Sequence, residues 1–196
     1  MIEKRLSDNE LIVRFVHNND YEAIEALINR YKNKVYTYIF LNVKRQELAE
    51  DIFQDTFVKV IKSLKSQKYE EDGRFISWVI RIAHNLIIDH YRRLAKLETV
   101  YNDDCKVSYF NSVQFSETTF EEITIKEQIR QDIKKLINEL PDDQKEVILL
   151  RHYGDLSFKE IAEVTGVSIN TALGRMRYAL INLRKLIKEN DIILNY

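Results

Sequence analysis

Glycine and proline are scarce in this chain, and their scarcity limits the folds open to it. The 196 residues include four glycines and one proline, too few for the many tight turns of a β-sandwich or β-barrel. Hydrophobic residues make up 45% of the chain, which is enough to bury a core. One cysteine, Cys105, excludes an intramolecular disulfide, and no apolar run exceeds four residues, so we expect no membrane span. These features favour a soluble, all-α protein.

Capping signals predict where the helices begin. Capping boxes start at Ser7, Thr119 and Ser157, each with a glutamate three residues later. Helices are predicted from Ser7 to about 17, from Asp20 through Ile39, over 48–64, 75–97 and 119–140, from Pro141, over 157–164, and from Ser168. Residues 98–118 are polar and lack a helical period. We therefore predict two small helical domains, 1–97 and 119–196, joined by a flexible linker over 98–118.

The helix predicted over 48–64 has one carboxylate-rich side. On a helical wheel its apolar side gathers Ala49, Phe53, Phe57, Val60 and Leu64. The opposite side gathers Glu47, Glu50, Asp51, Gln54, Asp55 and Val58. Like charges on adjacent turns repel each other, and packing does not require them. The sequence leaves two interpretations open, a merely solvated face or a docking surface for a basic partner.

The helix predicted over 75–97 places an aromatic residue among basic residues. Its apolar side consists of Phe75, Val79, Ile82, Ala83, Leu86, Ile87 and Leu94. The other side shows Trp78, Arg81, Asn85, Ile88, Asp89 and Arg92, and the preceding loop adds Tyr69, Gly73, Arg74 and Ser77. Aromatic rings interleaved with basic residues are typical of surfaces that bind single-stranded nucleic acid. The alternative is that Trp78 is buried between the domains.

The last two predicted helices form a helix-turn-helix. The first helix covers Ser157–Val164, the turn is Thr165–Val167, and the second helix begins at Ser168. Ala162 is expected at the closest crossing of the helices and Gly166 in a left-handed backbone conformation. We expect Ile169, Leu173, Met176, Leu180 and Leu183 to point inward, and Asn170, Thr171, Gly174, Arg175, Arg177 and Tyr178 to point outward. This pattern is typical of a recognition helix for the DNA major groove.

A metal site on the fourth helix is the remaining candidate for chemistry. His84, Asp89 and His90 lie close in sequence, but we expect His90 on the core side of the helix and His84 at its boundary. One ion would not easily reach all three side chains, and His90 is better explained as a hydrogen-bonded core residue. No phosphate-binding glycine loop, nucleophile elbow or HExxH motif occurs. We therefore expect no catalytic site, no metal and no cofactor.

Several of these segments together resemble one protein family. Residues 49–57, AEDIFQDTF, resemble the core-polymerase-binding segment of bacterial sigma factors. Residues 75–85, FISWVIRIAHN, with Asp89, Arg92 and Arg93, are similar to the promoter-melting and minus-ten-reading segments. Residues 140–147, LPDDQKEV, and the helix-turn-helix resemble the minus-thirty-five-reading domain. With two domains and a short tether, the chain is identified as a member of the extracytoplasmic-function group of the sigma-70 family.

The resemblance implies an all-α fold, with sigma region 2 over 1–97 and sigma region 4 over 119–196, and it assigns roles to residues. Polymerase binding falls to Glu47, Glu50, Asp51, Ile52, Gln54, Asp55 and Val58. Minus-ten DNA binding falls to Tyr69, Gly73, Arg74, Phe75, Ser77, Trp78, Arg81, Asn85, Asp89, Arg92 and Arg93. Minus-thirty-five DNA binding falls to Ser168, Asn170, Thr171, Gly174, Arg175, Arg177 and Tyr178.

The implied partners are core RNA polymerase and promoter DNA, with an anti-sigma factor as a third candidate, no membrane insertion and a cytoplasmic location. Residues 171–174, TALG, depart from the basic or small polar run that the family usually carries there. The minus-thirty-five sequence therefore does not transfer from a relative. Two other functions stay open: a conventional dimeric helix-turn-helix regulator, and a helical metal-dependent hydrolase that uses His84, Asp89 and His90.

Overall fold

A computed structural model of the chain describes residues 6–66, 69, 73–99, 133 and 135–190, with the side chains of 97–99 left aside. Within these residues the secondary structure is helical and no strand occurs. The chain divides into two compact units, one of Met1–Val113 with Tyr153–Asp155, the other of Gln114–His152 with Leu156–Tyr196. The all-α, two-domain prediction is confirmed. The predicted linker lies outside the described residues except for 98–99, which end the fourth helix.

The first unit contains four helices: α1 Asp8–Asn18, α2 Tyr21–Val43, α3 Gln46–Lys65 and α4 Phe75–Thr99. The capping box predicted at Ser7 is formed with Glu10. Asp20 caps α2, since its carboxylate accepts hydrogen bonds from the backbone N–H groups of Glu22 and Ala23 at 3.1 and 3.2 Å. Each helix begins within two residues of its predicted start, and α2 continues four residues beyond Ile39, its predicted end.

The core of the first unit lies where α1, α2, α3 and α4 pack together. Its fully buried side chains include Phe15, Leu27, Val35, Tyr38, Ile39, Val60, Leu64, Val79 and Ile80. Asp8 ties α1 to α2, because its carboxylate pairs with Arg30 and accepts a hydrogen bond from the Tyr31 hydroxyl at 2.5 Å. Leu94 was predicted to be buried and is exposed. It lies near the end of α4, where the helix continues beyond the core of the unit.

The second unit contains α5 Asp142–Gly154 as far as His152, together with α6 Phe158–Thr165 and α7 Ile169–Glu189. Residues 135–139 before α5 are also helical. Ser157 forms the predicted capping box with Glu160, and Gly166 ends α6 with a φ of 68°. Ser168 caps α7 by accepting a hydrogen bond from the Thr171 N–H at 3.1 Å. The helix-turn-helix is thereby confirmed, while the box predicted at Thr119 lies outside the described residues.

The buried side of α7 is not the predicted one. Ala172 and Ala179 are fully buried, whereas Ile169, Leu173 and Leu180 are exposed. Small side chains allow α6 and α7 to approach closely, so the alanines and not the larger apolar residues define the packed face. Among the helices that the structure describes, none is long and apolar enough to cross a membrane.

Candidate functional site

The acidic side of α3 is exposed as the wheel predicted. Glu47, Glu50, Asp51, Gln54, Asp55 and Val58 all face solvent, and we call these six residues the acidic face. The Gln46 amide donates a 2.9 Å hydrogen bond to Glu50 one turn away. The opposite side of α3 is buried through Ala49, Phe57 and Val60. The core therefore fixes the helix while the carboxylates remain available to a partner.

Ile52 does not belong to this surface, although it was predicted as a polymerase contact. It is buried because it lies one turn from both Ala49 and Thr56, which face the core. The assignment of Ile52 as a contact is wrong for the free protein. Its role is to hold α3 against the unit.

A basic strip borders the acidic face. A groove of about 520 Å³ between α3 and α4 is lined by Asp55, Lys59, Leu86, Asp89, Arg92, Arg93 and Lys96. Within it Arg92 lies 3.7 Å from the Asp89 carboxylate, and the Arg93 Nε donates to the Asp89 carbonyl at 3.2 Å. The Arg92–Asp89 pair is largely exposed, and such pairs contribute little to stability. These arginines can therefore turn toward a phosphate at small cost.

An aromatic cluster stands at the start of α4. The Tyr69 and Trp78 ring centroids are 4.4 Å apart, and Phe75 lies 5.9 Å from each of them. The Tyr31 ring on α2 closes the cluster 5.7 Å from Phe75. Tyr69 and Trp78 stay half-buried. Their outer edges form a platform on which an unpaired base could stack.

The predicted minus-ten residues divide by burial. Gly73, Arg74, Asn85, Asp89, Arg92 and Arg93 are exposed, and Arg81 is half-buried with Tyr69 and Trp78. Gly73 has a φ of 77°, a conformation that other residues adopt only at a cost. Phe75 and Ser77 are buried, so their prediction as DNA contacts is wrong for the free protein. Phe75 fills the aromatic cluster, and Ser77 shares the inner side of α4 with Ile80 and His84.

The histidine buried in the core is His84, not His90. The His84 Nδ1 lies 3.0 Å from the Tyr38 hydroxyl in a buried hydrogen bond, and burial lowers the pKa of His84 to about 4. His90 is only half-buried; burial, then Arg93 and Arg45, lower its pKa as well. Nowhere in the described residues do three His, Cys, Asp or Glu side chains converge as metal ligands. The hydrolase alternative therefore loses its proposed constellation.

The stability of the first unit should fall at mildly acid pH because of His84. Since its pKa is lowered from 6.5 to about 4, the unfolded chain takes up the proton first. The stabilisation is complete above pH 6.5 and is lost as pH falls toward 4, by about 3 kcal/mol in total. Urea unfolding followed by the fluorescence of Trp78, the one tryptophan, measures this. His84→Gln should flatten the pH dependence, whereas the matched change at the exposed His17 should leave it unchanged.

The outer surface of the helix-turn-helix is polar at the start of α7. Asn170, Thr171, Arg177 and Tyr178 are exposed as predicted. Ser168 is exposed and its hydroxyl is occupied by the cap. Gly174 is half-buried, and a Cβ added there would meet nothing within 4 Å. The exposed side of α7 is therefore uncharged over its first turns, and its exposed cations begin at Arg177.

Arg175 is the exception among the predicted reading residues. Its Nε lies 3.3 Å from the Asp143 carboxylate of α5, and 24% of its side chain is exposed. Arg175 lies close to the side of α7 that Ala172 and Ala179 bury, so it points toward α5. The prediction that Arg175 faces outward is wrong, because its side chain is directed to Asp143.

Glu146 lies within the electrostatic influence of this pair and was not among the predicted functional residues. Burial raises the pKa of Glu146 to about 7, Arg175 acts against that rise, and Asp143 and Asp142 add to it. One signal was available: Ala172 and Ala179 lie seven residues apart and mark the packed side of α7, which places Arg175 near α5. The Arg175–Asp143 pair joins the recognition helix to α5, and the charge of Arg175 acts on the nearby Glu146.

Comparisons with known proteins agree with this geometry. The family model "Sigma-70 region 2" matches residues 27–97, and "Sigma-70, region 4" matches residues 130–178. The RNA polymerase sigma factor YlaC of Bacillus subtilis is 33% identical over 166 residues, which cover 81% of this chain and 90% of YlaC. The ECF RNA polymerase sigma factor SigW of the same organism is 26% identical over 96% of this chain and 98% of SigW.

A solved structure has the same fold. The sigma factor RpoE from Bartonella quintana, determined in complex with the anti-sigma factor NepR, superposes with a TM-score of 0.63 at 21% identity. The match covers 84% of this chain and 96% of RpoE. Both units described above therefore have counterparts in known proteins.

Proposed function

This chain belongs to the extracytoplasmic-function group of the sigma-70 family of bacterial RNA polymerase sigma factors, and on that premise we propose how its units serve transcription initiation. The acidic face of α3 binds core RNA polymerase. The aromatic cluster and α4 capture the opened minus-ten strand, and the helix-turn-helix binds the minus-thirty-five duplex. The chain directs the polymerase to promoters and performs no catalysis itself.

One observation carries this proposal: a single chain combines an exposed acidic face with a helix-turn-helix in a separate unit. A conventional dimeric regulator would account for the helix-turn-helix. It would not account for a carboxylate face on α3 or for the match of residues 27–97 to sigma region 2. A partner that engages both units accounts for both surfaces.

Reconstituted transcription tests the proposal. The purified chain is mixed with core polymerase and a genomic promoter library, and the run-off transcripts are sequenced. We expect new transcripts that begin at discrete sites and share two spaced promoter elements. A transcript pattern that the chain leaves unchanged would contradict the proposal.

A mobility-shift titration at physiological salt separates the sigma factor from a dimeric regulator. Duplex affinity grows with the number of phosphates neutralised, and the acidic face repels a duplex. Minus-ten recognition also needs an opened strand. We expect specific promoter binding only when core polymerase is present, whereas tight binding of a palindrome by the chain alone would favour the regulator.

Trp78 and Asn85 should affect strand opening more than recruitment. Trp78→Ala removes a stacking surface, and Asn85→Ala removes an exposed amide that can both donate and accept hydrogen bonds. We expect the amount of open complex, measured by permanganate footprinting, to fall about tenfold. A change of this size lies within the stacking free energy of one base, about 1–3 kcal/mol. A promoter with a pre-melted minus-ten region should restore most of the activity.

Two controls accompany the strand-opening test. Trp78 packs against Tyr69 and Phe75, so the thermal stability of Trp78→Ala is measured alongside its activity. Asn33→Ala changes an equally exposed amide on α2 and should have no effect. A defect that pre-melting leaves unrepaired would assign these residues to another step.

The remaining aspects of the proposal concern location and regulation. We place the chain in the cytoplasm, where core polymerase and the chromosome are found. We take residues 98–118 as the linker between the regions. Because the structural neighbour RpoE was determined with an anti-sigma factor, we name such a factor as a candidate partner, to be tested by co-purification from the native host.

A further inference from the structure

The first two turns of α7 expose apolar side chains where a DNA-reading helix would place its base contacts. Ile169 is 46% exposed and Leu173 is 43% exposed. Asn170 and Thr171 are exposed beside them, and residues 168–174 contain no lysine or arginine. The one arginine near this segment on the inner side, Arg175, pairs with Asp143. The start of α7 therefore carries no cation of its own, and the arginine that follows it is directed to α5 instead.

The chemistry of this surface matches one kind of base edge. In the major groove, guanine is read mainly by arginine or lysine, adenine by asparagine or glutamine, and the thymine methyl group by apolar side chains. The N-terminal residues of a recognition helix are those that approach the base edges. Leu173 and Ile169 have no hydrogen-bonding group, and Asn170 stands next to them.

The cations of α7 lie further along the helix. Arg177, Arg184, Lys185 and Lys188 are all exposed, and from 168 to 188 there is no acidic residue. At these positions arginine and lysine side chains would contact phosphates. Such contacts position the helix on the DNA but carry no sequence information. The helix therefore separates backbone binding, through its cations, from base reading, through its uncharged first turns.

We propose that Leu173, supported by Ile169, reads thymine methyl groups in the minus-thirty-five element, so that the second unit selects a site rich in A·T pairs. This inference rests on the proposed function and specifies its DNA target. It makes Leu173 a specificity-determining residue and gives Arg175 only a positioning role. Burial of the two exposed side chains against methyl groups supplies the preference.

Removal of single methyl groups from the DNA tests the proposal. A promoter is first selected from a library randomised in the minus-thirty-five region, with the complete chain bound to core polymerase. Its thymines there are then replaced one at a time by deoxyuridine, which lacks only the methyl group. We expect thymine to be enriched in the selection. Deoxyuridine at one or more positions should weaken holoenzyme binding about fourfold, the change in affinity expected when one buried methyl group is lost.

Two variants complete the experiment. Leu173→Ala alters an exposed side chain, so the unit should fold, and the variant should no longer distinguish thymine from deoxyuridine. Arg177→Ala should weaken binding to both templates equally and make binding less sensitive to salt. Selection of guanine without thymine, or equal binding of all deoxyuridine templates, would overturn the inference while leaving the sigma function intact. Failure to select any polymerase-dependent promoter would instead overturn the proposed function together with it.

Discussion

Replacing Asp51 and Asp55 with lysine is expected to weaken the binding of this chain to core polymerase by at least about 100-fold. Both carboxylates are exposed on α3, one turn apart and on the same side. If they meet a basic surface, two reversed charges convert attraction into like-charge repulsion, which costs several kcal/mol at an interface, and 100-fold corresponds to about 2.7 kcal/mol. Co-purification and a binding titration with core polymerase measure the loss.

The variant is suitable because its effect on folding should be small. The buried side of α3 carries Ala49, Phe57 and Val60, and neither substitution touches it. Glu22→Lys with Glu25→Lys reverses two exposed carboxylates on α2 and serves as the matched control, with binding expected to stay near the wild-type value. Unchanged recovery of the Asp51 and Asp55 variant would mean that the acidic face is only solvated.

The features that the sequence predicted correctly are those set by neighbouring residues. Ser7 with Glu10, Ser157 with Glu160, and Asp20 each satisfy backbone N–H groups within three residues, so their chemistry is complete locally. The exposed carboxylates of α3 followed from helical periodicity, because a charge cluster of that size has no place in a core.

The errors concern which side of a helix meets another helix. Ile169, Leu173 and Leu180 look like a core stripe, yet α7 packs through Ala172 and Ala179. The Arg175–Asp143 pair joins residues 32 positions apart, and His84 meets Tyr38 across 46 residues. Helical periodicity gives the angle between side chains on one helix, but the partner helix decides which angle is buried.

The second unit should lose stability as pH rises through neutrality, the reverse of the effect expected from His84. The pKa of Glu146 is raised from its ordinary value of 4.5 to about 7, chiefly by burial. The folded unit therefore holds a proton that the unfolded chain has already released. The stabilisation is complete below pH 4.5 and is lost as pH rises through 7, by about 3 kcal/mol at most.

Glu146→Gln should remove this loss, since an amide keeps the shape of the protonated acid and does not titrate. We expect the variant and the wild type to be about equally stable at pH 5, and the variant to be more stable at pH 8. Native-state hydrogen exchange of the α5 and α7 amides, corrected for the intrinsic effect of pH, reports the second unit alone. Glu163→Gln, which changes an exposed carboxylate on α6, should leave the pH dependence as it is. If Glu146→Gln also left the pH dependence as it is, the attraction of Arg175 would outweigh burial, and Glu146 would be charged throughout this range.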